Sequence, residues 1–195
     1  MLRIHALLSR RILAALLAIT AGLWAQSVRS DALDGVLEVR SAYVNVDGGV
    51  FLLHARIEYP DNPVIRDALR DGITLSFELD TRVERHRRLW FDAEVVSLQL
   101  RRELSFHAVS DRYIVRDVRS GDQQSFPTLE EALKQLGTVD GWPILVEPQL
   151  DGGEYEVGVR AGVRRGKLPS SLRALMFWTN DWHRTSEWYT WSLPV

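Results

Sequence analysis

Residues 73–83 read ITLSFELDTRV, and apolar and polar side chains alternate along most of this run. Because successive side chains of a β-strand point to opposite faces, the alternation predicts a strand with one apolar and one polar face. The apolar face would carry Ile73, Leu75, Phe77, Leu79, Thr81 and Val83. A strand with one face in water is typical of an antiparallel sheet. We therefore expect Phe77, in the middle of the run, to lie in the core.

The same period of two recurs further along the chain. Residues 155–163 place Tyr155 and Val159 on one apolar face, so Val159 is a second expected core residue. A third run spans residues 96–108, but Arg102 interrupts its apolar face. We expect a bend or a bulge at Arg102.

Two Asp-Gly-Gly sequences, 47–49 and 151–153, separate predicted strands. Asp-Gly tolerates the positive φ angles of tight hairpins, so each turn is expected to join two antiparallel neighbours. The predicted pairs are 36–46 with 50–58 and 144–150 with 154–165.

Three short helices are predicted between the strands. Asn62-Pro63 is typical of a helix start, and Thr128 with Glu131 forms a capping box. A third helix would begin at Pro169-Ser170-Ser171. The predicted fold of residues 33–195 is mainly β: an antiparallel β-sandwich-like single domain with two or three short helices in the connections.

Residues 1–27 are typical of a secretory signal peptide. Arg3, Arg10 and Arg11 precede an uncharged, mostly apolar run of fourteen residues at 12–25. At about 1.5 Å of rise per residue, this run is shorter than the ~30 Å hydrocarbon core of a bilayer. We expect cleavage near residue 27 or 32 and a periplasmic protein; the alternative is an uncleaved anchor.

The composition excludes several classes of function. The chain has no cysteine, so it carries no lipoprotein anchor, disulfide or thiol nucleophile. Beyond residue 32, acidic residues outnumber basic ones, which argues against nucleic-acid binding. The four histidines beyond the leader lack metal-ligand spacing, and we expect neither a metal nor a cofactor.

The densest basic segment ends the 73–83 strand and carries Arg82, Arg85, Arg87 and Arg88. Arginine makes bidentate contacts with phosphate or carboxylate, so this arginine segment is a candidate binding surface. The alternative is a solvated loop whose charge is balanced by Glu78, Asp80 and Glu84.

The C-terminal region is rich in tryptophan, including Trp182 and Trp188. Exposed indole rings in an exported protein suggest contact with sugar, lipid or protein. The alternative is that the rings pack at the end of the sandwich. Asp181 and His183 could pair a carboxylate with an imidazole, but no GxSxG sequence supplies a nucleophile.

Several segments resemble a known family. They are Leu104–His107 with Tyr113–Val115, Phe126–Leu133, Tyr155–Val157, Leu168–Arg173 and the tryptophan-rich end. Together with the leader, they resemble DUF4390, a proteobacterial family of exported proteins known only as a domain of unknown function. The resemblance implies no activity, cofactor or catalytic residue. It implies an association, by gene neighbourhood, with membrane sensor histidine kinases.

These observations favour a non-catalytic periplasmic domain that binds another envelope protein or an envelope component. Membrane contact is expected only through an uncleaved leader or the arginine segment. One alternative is an envelope hydrolase with a dispersed site around Asp181 and His183. Another is a carbohydrate-binding module that uses the C-terminal tryptophans.

Overall fold

The computed structural model describes residues 33–86, 93–150, 152–166 and 182–193. The predicted leader and the predicted helix after Pro169 lie outside the described residues. The strands are β1 (Glu38–Asp47), β2 (Val50–Glu58), β3 (Leu75–Arg85), β4 (Ala93–His107), β5 (Arg112–Asp117), β6 (Gln123–Phe126), β7 (Thr138–Val146), β8 (Tyr155–Arg165), β9 (His183–Thr185) and β10 (Tyr189–Leu193). The helices are α1 (Pro63–Arg70) and α2 (Leu129–Leu136), with a 3-10 turn at Glu147–Gln149.

The described strands form two antiparallel sheets. The smaller sheet has the order β1-β2-β7, and the larger has the order β10-β8-β3-β4-β5-β6, with β9 also paired to β8. The apolar faces of the two sheets enclose one core. The prediction of a mainly β, sandwich-like single domain is confirmed.

Strand β3 lies inside the larger sheet, paired to β4 on one side and β8 on the other. Its alternate apolar residues face the core, and Phe77 is 3% exposed. The Phe77 ring meets the ring of Tyr59 edge-on, with 4.8 Å between centroids. Val159 of β8 is also fully buried. Both core predictions are confirmed.

The first Asp-Gly-Gly turn joins β1 to β2 as predicted, with Asp47 opposite Val50. Gly48 and Gly49 have φ angles of 55° and 78°. A glycine has no Cβ to clash at positive φ, which is why it suits this turn.

The hairpin predicted at the second Asp-Gly-Gly turn is wrong. Strand β7 pairs with β2 in the smaller sheet, whereas β8 pairs with β3, β9 and β10 in the larger sheet. The segment from Glu147 to Glu154 therefore carries the chain from one sheet to the other. Turn residues permit a reversal of direction, but burial of the apolar faces on opposite sides of the core decides which strands pair.

The bend or bulge predicted at Arg102 is also wrong. The register of β4 against β3 runs without a shift through this residue; the shift lies opposite Val83 and Glu84 of β3, where Val95 is the extra residue of β4. The Arg102 guanidinium donates hydrogen bonds to the carbonyls of Gln135, Leu136 and Thr138, at 3.2, 3.4 and 2.9 Å. These carbonyls lie at and after the C-terminal end of α2, where a cation is favoured.

The first two predicted helices form with the predicted caps. The Asn62 side chain accepts a hydrogen bond from the Ile65 N–H at 2.8 Å. The Thr128 hydroxyl accepts one from the Glu131 N–H at 3.2 Å. Both bonds satisfy backbone donors that have no partner inside the helix. Neither helix, nor any other helix among the described residues, is long and apolar enough to cross a membrane.

Candidate functional site

The two described residues of the arginine segment make contacts within the chain. The Arg82 guanidinium lies 4.2 Å from the centroid of the Trp188 ring. Arg85 donates a hydrogen bond to the carbonyl of Gly152 and lies 5.9 Å from the centroid of the Tyr155 ring. Arg87 and Arg88 lie outside the described residues. The role of the segment in binding stays a prediction.

Trp188 lies on the outer face of the larger sheet, between two arginines. Arg160 lies 4.7 Å from its ring centroid, on the same ring that Arg82 contacts. A Cβ at Gly158 would lie 3.1 Å from Arg82 Nε and 3.3 Å from the Trp188 ring. Because Gly158 has no side chain, the indole and the guanidinium can lie close to the backbone of the sheet at this position.

The other described C-terminal tryptophans pack differently. Trp182 and Trp191 are partly buried and pack against the core. The described rings therefore do not share one flat surface: two contribute to the core, and Trp188 is stacked with arginines. His183 of β9 is exposed and lies opposite Arg164, whereas its predicted partner Asp181 lies outside the described residues.

The polar face of β3 is ordered by ion pairs. Glu78 lies 2.9 Å from Arg101 Nε and 2.6 Å from Arg164 Nη2. The Glu78 side chain is only 12% exposed, because strands β4 and β8 place these arginines on either side of it. Most of the charge on this face is compensated within the sheet.

A polar cluster on the outer face of the smaller sheet was not predicted. His54 stacks on Tyr43 with 4.8 Å between ring centroids, and its Nε2 lies 2.7 Å from Asn45 Oδ1. The hydrogen bond from Arg56 to Asp140 lowers the pKa of that carboxyl, and His54 adds to the effect. Asp140 reaches this cluster only because β7 pairs with β2. The prediction that paired residues 144–150 with 154–165 therefore could not reveal the cluster.

The described residues contain no group of three or more histidine, aspartate or glutamate side chains that could hold a metal ion. His54 has one amide and one carboxylate beside it, and the cluster lies on a sheet face. This geometry provides polar contacts on the sheet face, with the ring of Tyr43 stacked on the imidazole.

The feature best shaped for binding is the edge of β4. Strand β3 pairs with β4 from Ala93 to Leu104, but β5 pairs only with its residues 102–107. Among the described residues, no strand pairs with the second edge of β4 over residues 93–100. We call this segment the free β4 edge.

A cavity of about 360 Å³ lies at the end of the free β4 edge. Its lining combines apolar and cationic side chains from β4, β7 and the turn after β5: Gln99, Leu100, Arg101, Val118, Arg119 and Trp142. Trp142 is 8% exposed, and its indole N–H has no hydrogen-bond partner among the described residues. The indole nitrogen has almost no accessible surface, so Trp142 lines the cavity through other atoms.

No single sequence motif marked this cavity. Leu100 and Arg101 lie in a predicted strand, but Trp142 lies on β7 in the other sheet. Its β4 and β7 walls meet only because the two sheets stack. One signal in the sequence was the length of the 96–108 run. A six-residue strand such as β5 can pair with only part of it.

A family model described as "Domain of unknown function (DUF4390)" matches residues 35–192, most of the chain. No curated protein and no solved structure shows a significant match. The matched range contains both sheets, the arginine segment and the cavity at the free β4 edge. The chain therefore belongs to the DUF4390 family.

Proposed function

We propose that this chain is an exported, non-catalytic periplasmic domain that binds another envelope protein by adding a strand of that protein to the free β4 edge. An exposed edge is a template for an extended segment, whose main-chain hydrogen bonds supply affinity. The length of β4 that has no second strand beside it in the described part of the chain, next to the cavity, is the observation that carries the proposal. The family resemblance implies an association with membrane sensor kinases by gene neighbourhood only.

The backbone of β4 offers its hydrogen-bonding groups to an added strand. The Arg101 carbonyl accepts a hydrogen bond from the Val118 N–H at 3.1 Å, so the polar groups of Arg101 face this edge. In an antiparallel sheet alternate residues face the same neighbour, which places the N–H and C=O of Ser97 and Gln99 at the edge. Both residues are exposed.

The two edge strands of the smaller sheet, β1 and β7, are less suited to strand addition, and β7 contains Pro143 and pairs with β2 through two register shifts. Strand β1 has a register shift between Val39 and Ser41, and its Arg40 pairs with Glu38 and Glu58. Bulges and paired charges are common devices that protect an edge from pairing. The free β4 edge has a register shift of its own at Val95, but residues Ser97 to Leu100 pair with β3 without a shift and carry no charge.

The proposal predicts a site-specific crosslink in intact cells. A photo-crosslinking amino acid at Gln99 should give a discrete adduct with an envelope protein, and the same group at Val109 should not. Val109 is 94% exposed and lies in the turn after β4. Ser97→Pro should remove the Gln99 adduct, because proline has no N–H to donate to an added strand.

Ser97→Thr is the matched control, since threonine keeps the N–H and suits a strand. The thermal midpoint of Ser97→Pro should stay close to that of the parent protein. An adduct from Gln99 that persists in a folded Ser97→Pro variant would contradict strand addition.

Export and removal of the leader are proposed from residues 1–27. We expect the protein in a membrane-free periplasmic extract to begin near Val28 or Leu33 when its N-terminus is sequenced. The charged start and the fourteen-residue apolar run are the physical basis. Full-length protein retained in the membrane fraction would show instead that the leader is an anchor.

A further inference from the structure

We infer that two copies of this chain pair through their free β4 edges and form a symmetric dimer when no partner segment is bound. The two copies of residues 96–100 run antiparallel, with Leu98 of one copy opposite Leu98 of the other. The dimer itself does not depend on the proposed function. Its role, which is to cover the edge until a partner strand replaces it, rests on the proposed strand addition.

The two ends of the free β4 edge set the register of this pairing. At one end, Val95 is an extra residue that interrupts the pairing of β4 with β3. At the other end, the Arg101 carbonyl already accepts a hydrogen bond from the Val118 N–H. The regular part of the edge that no described strand or turn occupies is therefore residues 96–100, and Leu98 is its central residue.

The backbone of this segment is complementary to itself about Leu98. The N–H and C=O groups of Ser97 and Gln99 face the edge, as those of Arg101 do. A twofold axis at Leu98 places Ser97 opposite Gln99 of the second copy, and each such pair exchanges both of its hydrogen bonds. An axis at Ser97 would instead place Gln99 opposite the extra Val95. An axis at Gln99 would place Ser97 opposite Arg101, whose carbonyl already has a donor.

The apolar face of the segment is exposed where this pairing covers it. Leu98, Leu100 and Leu104 share one face of β4, because alternate residues of a strand point the same way. Leu100 and Leu104 are 7% and 0% exposed, but Leu98 is 37% exposed. Opposite residues that share no hydrogen bond have the closest side chains in an antiparallel pair. The two Leu98 side chains therefore remove apolar surface from water on each other.

The two ends of the edge differ in charge. Glu94 is exposed and lies opposite Glu84, which in turn lies opposite Glu156 of β8. Arg101 and Arg119 lie at the other end of the edge, beside the cavity. Because the two copies run antiparallel, the acidic end of each copy lies beside the basic end of the other. This complementarity favours a second copy of the chain as the occupant of the edge.

The first test introduces a single cysteine, because the parent chain has none. The Cα atoms of an antiparallel pair without mutual hydrogen bonds are about 4.5 Å apart, within the ~4.4–6.8 Å that a disulfide spans. Purified Leu98→Cys, oxidised by copper–phenanthroline at roughly 100 µM, should form a disulfide-linked dimer about tenfold faster than Val109→Cys, because pairing raises the effective thiol concentration to the millimolar range. Val109, at 94% exposure, is the control site.

The second test uses the twofold axis itself. Leu98→Lys and Leu98→Asp each place two like charges opposite each other, so sedimentation velocity should show a monomer for each variant alone. An equimolar mixture of the two variants should form a 1:1 dimer, because opposite charges then meet at the axis. Thermal midpoints close to that of the parent protein show that both variants are folded.

Parent protein that stays monomeric up to millimolar concentration would overturn the inference. A folded Leu98→Lys variant that dimerises as well as the parent would do the same. A disulfide that forms faster in Ser97→Cys than in Leu98→Cys would overturn the register centred on Leu98. The proposed function is judged separately: in the crosslinking experiment on intact cells, an adduct of twice the chain mass reports a second copy, whereas an adduct of another mass reports a partner.

Discussion

Phe77→Ala should lower the free energy of unfolding by about 3–5 kcal/mol, the range measured when a large aromatic core residue is truncated. Phe77 is 3% exposed and lies inside the larger sheet between β4 and β8. The substitution removes the contact with Tyr59 and leaves a cavity between two sheets that hydrogen bonds hold in register. Chemical denaturation of the parent protein and the variant measures the change.

Val109→Ala is the control for this substitution. Val109 is an apolar residue at 94% exposure, so its truncation should change the free energy of unfolding by less than about 0.5 kcal/mol. A loss below about 1 kcal/mol for Phe77→Ala would mean that the apolar face of β3 is not the core.

Gly137→Ala should lower the free energy of unfolding by about 3 kcal/mol, at the upper end for overpacking a closely packed site. A Cβ at Gly137 would lie 2.1 Å from the carbonyl oxygen of Ile57. This oxygen belongs to the backbone of β2, and the Ile57 N–H donates to the Gly137 carbonyl at 2.8 Å, so the two backbones cannot separate without losing that bond. The φ angle of Gly137 is −76°, so steric contact, and not backbone conformation, is the cause.

Gly152→Ala is the matched control, because a Cβ there meets none of the described residues within 4 Å. We expect its thermal midpoint to stay near that of the parent protein. If Gly137→Ala were as stable as Gly152→Ala, the close approach of the α2–β7 junction to β2 would be wrong.

The cavity could not be predicted from the sequence, although three of its six lining residues, Gln99, Leu100 and Arg101, lie in a predicted strand. The 96–108 run predicted Leu100 on an apolar face, and the structure agrees. Trp142 reaches the same cavity from the other sheet, by way of a β7 that pairs with β2. Which edge of β4 stays open depends on the length of β5, and strand ends are set by pairing and not by local pattern.

The arginine segment illustrates a second limit. Four arginines close together in sequence predicted a basic surface, but Arg82 and Arg85 have partners from β8, the segment before it, and Trp188. A count of charges along the chain cannot include partners that neighbouring strands supply. Glu78 shows the same effect, since its arginines come from β4 and β8.

The local sequence was enough to predict the alternation of β3 and β8, the first hairpin, and the caps of α1 and α2. These features depend on interactions within a few residues: the period of two of a strand, the turn conformation of glycine, and the first N–H groups of a helix. Three other features follow from the packing of the whole domain: β7 joins β2, Arg102 binds carbonyls at the end of α2, and no described strand covers the edge of β4 beside Trp142. Those features depend on how the apolar faces of the two sheets stack. The sequence pattern shows which face of a strand is apolar, but it does not show which other face packs against it.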